Sequence, residues 1–217
     1  MSGNGFSASK LKAVILDYGE VICHRPTTGQ MAELAKFFAV DVNVFGPLWE
    51  RNRGRYDRGD LTPEAYWTML ANDASTKLRA GDLEEICRLD VDMWSNVNPN
   101  MVGWIDRLGR SGKKVGLLSN MPTEMVTHCR QKFDWIDHFD FVTFSAEVNL
   151  VKPEPAIYEH TLRGLGVSAP EALFLDDKEV NVAAARQLGI NAIRVASMPQ
   201  LREDLATAGF TDLPAES

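Results

Sequence analysis

Apolar residues fall along this chain in two textures: short unbroken runs, and longer stretches with a helical period. Val14-Ile15-Leu16 is the first short run, and it closes on Asp17 with Gly19 just beyond. A run of this length, bounded by a turn signal, reads as a buried strand over residues 12–17. Similar runs follow at 115–118, 139–144, 172–175 and 191–195. Helical stretches separate them. Asn98-Pro99 opens a helix that Ser111-Gly112 closes near Arg110, and Pro122 to Phe133 is helical. Another helix is predicted from Pro153 to about Arg163, and one from Val180 to Leu188 with Gly189 as its C-terminal cap. Strands alternating with helices predict a parallel sheet with right-handed crossovers.

Residues 23–96 break that alternation, because they read as wholly helical. Met31, Leu34, Ala35 and Phe38 carry a helical period within Thr27 to Val40. Thr62 is placed to cap a helix that has Pro63 at its first position. Asp82 with Glu85 resembles a capping box, with the aspartate as cap of a helix running to about Trp94. So long a helical segment does not belong inside a strand–helix–strand unit. The chain is therefore predicted to be α/β, with a core made by 1–22 and 97–217 and an inserted helical subdomain at 23–96.

At 217 residues the chain can bury a full core, and its 45% hydrophobic and 24% charged content is ordinary for a globular protein. The net charge of −7 argues against nonspecific binding to nucleic acid or to an anionic membrane. It leaves room for a small anionic substrate, since a metal ion or one lysine can invert the field locally. Met1 to Lys10 is polar and Gly/Ser-rich without an apolar signal core, and no later run is long enough to span a bilayer. Cys23, Cys87 and Cys129 are scattered without metal-type spacing, and read as reduced thiols of a cytoplasmic protein. Cys23 lies near Asp17 in sequence, but a buried structural thiol accounts for it better than a nucleophile.

The candidate chemistry sits at strand ends. Asp17, Ser119-Asn120, Lys152 and Asp176-Asp177 each end a predicted strand or lie in an adjoining loop. In a parallel sheet all strand C-termini share one edge, so these residues are expected to converge there. Three carboxylates in one cleft repel one another unless a hard cation binds, and oxygen ligands of this kind suit Mg²⁺. Ser119-Asn120 and Lys152 are candidates to hold an anionic group, which leaves Asp17 as a candidate covalent nucleophile. Each residue has a plainer reading. Ser119 could cap the helix near Pro122, Lys152 could be a solvated charge, and Asp176-Asp177 could serve the dipole of the following helix.

The order and local sequence of these motifs resemble the haloacid dehalogenase-like hydrolase superfamily over nearly the whole chain. The resemblance implies a Rossmann-like core with an all-helical cap inserted after the first motif. It implies Asp17 as nucleophile, Ser119 as the phosphate-binding hydroxyl and Lys152 as the bridge between nucleophile and phosphate. It makes Asp176-Asp177 the acidic pair that holds Mg²⁺ together with Asp17 and the Gly19 carbonyl. Leu16 to Ile22, and Leu175-Asp176-Asp177 with Asn181, are similar to segments of the family's bacterial α-D-glucose-1-phosphate phosphatases.

One position departs from the family pattern. Family phosphatases usually carry a second aspartate two residues after the nucleophile as general acid and base, and here that position is Gly19. Glu20 and His24 are the nearest substitutes in sequence. The leading expectation is a Mg²⁺-dependent phosphatase acting on a small phosphorylated metabolite, such as a sugar phosphate, through an aspartyl-phosphate. A 2-haloacid dehalogenase is the alternative enzyme, since halide leaves without a proton. It is opposed by Tyr18 standing one residue too early and by an acidic pair that a carboxylate substrate would not want. A catalytically weak, ligand-binding protein of this fold is the third. In the cap, Trp49, Arg51, Arg53, Arg55 and Tyr56 precede a turn at Asp57-Arg58-Gly59-Asp60. They read mainly as a solvated face with an aromatic anchor; the sharper alternative is that one arginine and one aromatic reach the cleft.

Overall fold

A computed structural model describes residues 6–215, so Met1 to Gly5 of the N-terminal stretch lie outside the described residues. Five parallel strands form one sheet: β1 (Ala13–Leu16), β2 (Lys114–Ser119), β3 (Phe141–Phe144), β4 (Ala172–Asp176) and β5 (Asn191–Arg194). Their order is β3-β2-β1-β4-β5, and Ile15 of the central strand pairs with Gly116 on one side and Phe174 on the other. Helices cover both faces, which is why the strands read as unbroken apolar runs. Val14 and Leu16 pack into one apolar cluster, Ala13 and Ile15 into the other. From β1 the chain winds outward in both directions, so the switch point falls at the carboxyl end of β1.

Between β1 and residue 96 the described chain forms five helices: α1 (Thr28–Phe37), α2 (Val42–Arg51), α3 (Arg53–Arg58), α4 (Pro63–Asp73) and α5 (Asp82–Asp92). Phe38, Phe45, Tyr66 and Trp67 centre an apolar cluster of their own, separate from the two on the sheet. Thr27 caps α1 in a reciprocal box with Gln30, and Thr62 caps α4 by accepting from the Ala65 N–H at 3.1 Å. Two local expectations need correction. Asp82 is the first residue of α5 rather than its cap; Gly81 caps it, and the Asp82 carboxylate turns back to the Arg79 N–H at 2.7 Å, so no capping box forms. Asp57 and Arg58 belong to α3, and the turn begins only at Gly59, whose φ of 86° suits a glycine.

The remaining helices flank the sheet: α6 (Pro99–Arg110), α7 (Thr123–Lys132), α8 (Ser145–Val148), α9 (Pro155–Leu165), α10 (Glu179–Gln187) and α11 (Met198–Thr207). One face takes Trp104 of α6, Val126 of α7 and Leu201 of α11; the other takes Ile157 of α9 and Val182 of α10. Helix α9 starts at Pro155 and not at Pro153. Glu154 precedes a proline and is extended, and Pro155 then takes the first helical position. On α9, Gly164 is required by close approach, since a Cβ there would lie 2.2 Å from the Phe141 ring. Helix α11 was not anticipated from the apolar pattern.

Among the described residues no helix is long and apolar enough to cross a membrane. All three cysteines are free, Cys23 and Cys129 being buried and Cys87 partly so. Burial pushes the Cys23 thiol up to about 12, which suits a structural residue and not a nucleophile.

Candidate active site

Asp17 leaves the sheet directly after β1, with its N–H still bonded to the Leu175 carbonyl at 2.9 Å. Its Oδ1 accepts from the Tyr18 N–H at 2.7 Å and from Lys152 Nζ at 2.7 Å. The same ammonium lies 2.7 Å from Asp176 Oδ2, so one buried lysine bridges two carboxylates from adjacent strands. Burial works against the lysine's charge, but Asp17 and Asp176 outweigh it and hold Lys152 protonated.

The acidic pair divides into two kinds of group. Asp176 is fully buried and fully engaged: Lys152 on Oδ2, the Lys178 N–H on Oδ1 at 2.8 Å, and Asn181 Nδ2 at 3.0 Å from both oxygens. The Asp177 carboxylate accepts no hydrogen bond among the described residues. Burial, then the charge of Asp176, pushes it up to about 6. Asp17 is pushed to about 7 by burial, with Lys152 pulling the other way.

One carboxylate oxygen from each of Asp17, Asp176 and Asp177 lies within 4.8 Å of the others. Three carboxylates against one ammonium leave two negative charges uncompensated, and the donors are all hard oxygens. The residues therefore fit a divalent cation of the Mg²⁺ type, with the unpartnered Asp177 as its most available ligand.

Ser119, the last residue of β2, is buried and lines the same cavity, and its hydroxyl makes no hydrogen bond among the described residues. It does not cap α7, where Pro122 occupies that position. Asn120 also reaches the cavity wall, but its amide is spent on the backbone of Lys152, accepting from the N–H at 2.9 Å and donating to the carbonyl at 3.0 Å. Its side-chain oxygen and nitrogen are therefore both committed to the Lys152 backbone. The sequence could not distinguish these roles.

These groups lie at the floor of a cavity of about 470 Å³ that residues of α2 and α3 help to line. Beside Asp17, Gly19 leaves space that Trp94 fills: a Cβ on residue 19 would meet the benzo ring of Trp94 at 3.4 Å. Of the two substitutes for the missing acid, Glu20 lines this cavity, whereas His24 is exposed in a neighbouring cleft. Glu20 has a φ of 56° and faces Arg25 at 3.5 Å. Tyr18 turns its ring into the core and donates to the Trp94 carbonyl at 2.6 Å.

The cap cluster separates. Arg53 and Trp49 reach the cavity; Arg51 and Arg55 are exposed, and Tyr56 is buried with its hydroxyl on Glu124 at 2.9 Å. Arg53 is held between Asp57 at 2.9 Å and Asp90 at 3.0 Å, 4.5 Å over the Trp49 ring. The sharper alternative is thus what the geometry resembles. Asp57, Asp90 and Trp94 were missed in the sequence, since helical acids and a lone tryptophan carry no local signal of burial in a cleft.

This arrangement matches a known class. The chain belongs to the haloacid dehalogenase-like hydrolases, whose family model matches residues 11–189. It is 26% identical over 181 residues to the sesquiterpene phosphatase astK of Aspergillus oryzae, covering 82% of this chain and 87% of the relative. Its fold is similar to a HAD family enzyme of Bacteroides thetaiotaomicron solved with magnesium and inorganic phosphate, at a TM-score of 0.70 and 20% identity, covering 85% of this chain and 93% of that one. It is also similar in fold to the L-2-haloacid dehalogenase of Xanthobacter autotrophicus, at 0.64 and 20%, covering 93% and 85%. The chain is thus a hydrolase with a Rossmann-like parallel core.

Proposed function

We propose that this hydrolase is a Mg²⁺-dependent phosphatase that cleaves small phosphate monoesters through an aspartyl-phosphate on Asp17. The observation that carries the reading is the bridging Lys152, 2.7 Å from both Asp17 and Asp176, beside a carboxylate and a hydroxyl that lack hydrogen-bond partners among the described residues. An unpartnered Asp177 carboxylate suits a cation and an unpartnered Ser119 hydroxyl suits an anionic oxygen. A phosphate monoester bound with Mg²⁺ supplies both.

In this reading Asp17 attacks phosphorus, the P–O ester bond breaks and the alcohol leaves with a proton from solvent. Water later hydrolyses the acyl phosphate to inorganic phosphate and free Asp17. Lys152 holds Asp17 in place and stabilises charge on the phosphoryl oxygens, while Ser119 donates to one of them. Asp17, Asp177 and the Gly19 carbonyl would hold Mg²⁺, with Asp176 behind them; the ion supplies charge neutralisation at the phosphoryl group. Residues 23–96 are read as a lid over the core of 1–22 and 97–217, excluding bulk water. The similarity to a sesquiterpene phosphatase supports phosphoryl chemistry, and a sugar phosphate is the substrate class that the motif resemblance implies.

Gly19 also suits a dehalogenase, which needs no acid for the leaving halide. Asp177 speaks against it, because a free carboxylate beside the nucleophile repels a carboxylate substrate. Phosphate release from p-nitrophenyl phosphate with and without Mg²⁺, set against halide release from 2-chloropropionate, separates the two. Metal-dependent phosphate release supports the phosphatase, and halide release alone rejects it.

A further inference from the structure

Asp17, Ser119 and Lys152 occupy only the floor of the cavity; the rest of its wall is what the organic part of an ester would meet. That wall is mixed, and its apolar part consists of large side chains. Trp94 lays its benzo ring beside Gly19, Trp49 comes down from α2, and Met121 and Met125 close the core side. At the mouth stands Val180, 58% exposed and one of two large apolar side chains that the described residues leave in solvent.

Apart from the Trp94 indole N–H, which is buried without a partner among the described residues, the amide and guanidinium groups deeper in the same wall are already engaged. Arg53 is held by Asp57 and Asp90, Asn120 by the Lys152 backbone, and Asn181 by Asp176. Sugar hydroxyls entering here would give up water and find these partners taken. Glu20, Glu50 and Lys178 remain at the wall, and an uncharged body leaves their hydration least disturbed. An apolar body gains by displacing water from tryptophan and methionine surface.

We infer that the substrate is a phosphate monoester whose organic group is uncharged and predominantly apolar, selected by Trp94 and Trp49. This rests on the phosphatase reading above and narrows it away from sugar phosphates.

The test uses aryl phosphates, in which a para substituent changes size and polarity while the leaving phenol keeps nearly the same acidity. Phenyl, 4-propylphenyl and 4-(2,3-dihydroxypropyl)phenyl phosphate are compared by kcat/KM with the full chain and Mg²⁺. The propyl ester is expected to exceed the dihydroxypropyl ester at least tenfold, and to exceed phenyl phosphate by roughly threefold or less per added methylene, the most that partial transfer of a CH₂ from water provides. Trp94→Ala should reduce the propyl-to-dihydroxypropyl ratio at least fivefold through KM. Val180→Ser, at an exposed position where folding is not at stake, should reduce it about twofold. Equal kcat/KM for the propyl and dihydroxypropyl esters, or ratios unmoved by both substitutions, would overturn the inference while leaving a phosphatase. Release of phosphate from none of the three would overturn the phosphatase reading itself.

Discussion

The Asn120 side chain holds the backbone of Lys152 at both ends, accepting from its N–H at 2.9 Å and donating to its carbonyl at 3.0 Å. The lysine enters the site from a loop with a cis Lys152–Pro153 peptide, and this clamp ties that loop to the end of β2. The Asn120 amide therefore sets the height at which the ammonium meets Asp17.

Asn120→Ala is expected to lower kcat by roughly 10–100-fold, the cost of two lost hydrogen bonds and a loosened lysine, with a smaller effect on KM. Steady-state kinetics with p-nitrophenyl phosphate checks this. A change confined to KM would make Asn120 a substrate ligand instead.

The two members of the acidic pair should fail differently. Asp177→Asn is expected to weaken Mg²⁺ binding by calorimetry more than Asp176→Asn, because only Asp177 has an uncommitted carboxylate. Asp176→Asn should cost more stability, about 3–5 kcal/mol, by leaving the buried Lys152 with one counter-charge. The reverse ranking in both measurements would contradict the geometry.

Without metal, the site should carry its own pH signature. Asp17 and Asp177 are raised to about 7 and about 6, above their unfolded values, so the folded protein binds more protons than the unfolded one in this range. Their contribution to stability is present at low pH and is lost as pH rises through those values. The Tm of the metal-free protein is expected to fall between about pH 5 and pH 8, and Mg²⁺ should raise it most at the upper end. A Mg²⁺ increment that is larger at pH 5 would contradict this.

The strand ends were legible in the sequence because a buried parallel strand leaves an unbroken apolar run, and the residue that closes it is placed by topology alone. Asp17, Ser119 and Asp176-Asp177 were found in that way. Lys152 was placed by its loop, but not its clamp, since Asn120 lies thirty-two residues away and the pairing is tertiary. Residues 23–96 were legible as helical, but not by the faces of their helices. Asp57 reads only as part of a turn and nothing in the local pattern marks Asp90; packing alone brings both to Arg53. Trp94 follows α5 and packs against both the helical cluster and one cluster on the sheet, a position that no local period marks.

That arginine should matter to the fold of the cap. Arg53→Met is expected to destabilise by about 3–5 kcal/mol, since it leaves Asp57 and Asp90 buried without a counter-charge. Urea denaturation reads this directly. A loss below about 1 kcal/mol would mean that the pair takes up protons or water at little cost.

Gly19 should show in the choice of leaving group. With no carboxylate at that position, aryl phosphates are expected to exceed primary alkyl phosphates in kcat/KM by at least ~10²-fold, the usual worth of general-acid help. A flat dependence on leaving-group acidity would mean that an acid acts after all. Glu20, which lines the cavity, would then be the first residue to replace, as Glu20→Gln.

The covalent step on Asp17 is tested most directly by trapping it. Enzyme mixed with aryl phosphate and Mg²⁺, quenched in acid and digested, should yield a phosphorylated peptide whose modified residue is Asp17. Asp17→Asn should yield none and lose at least ~10³-fold in turnover. Turnover within tenfold of the parent in Asp17→Asn, or phosphate found on another residue, would contradict the assignment.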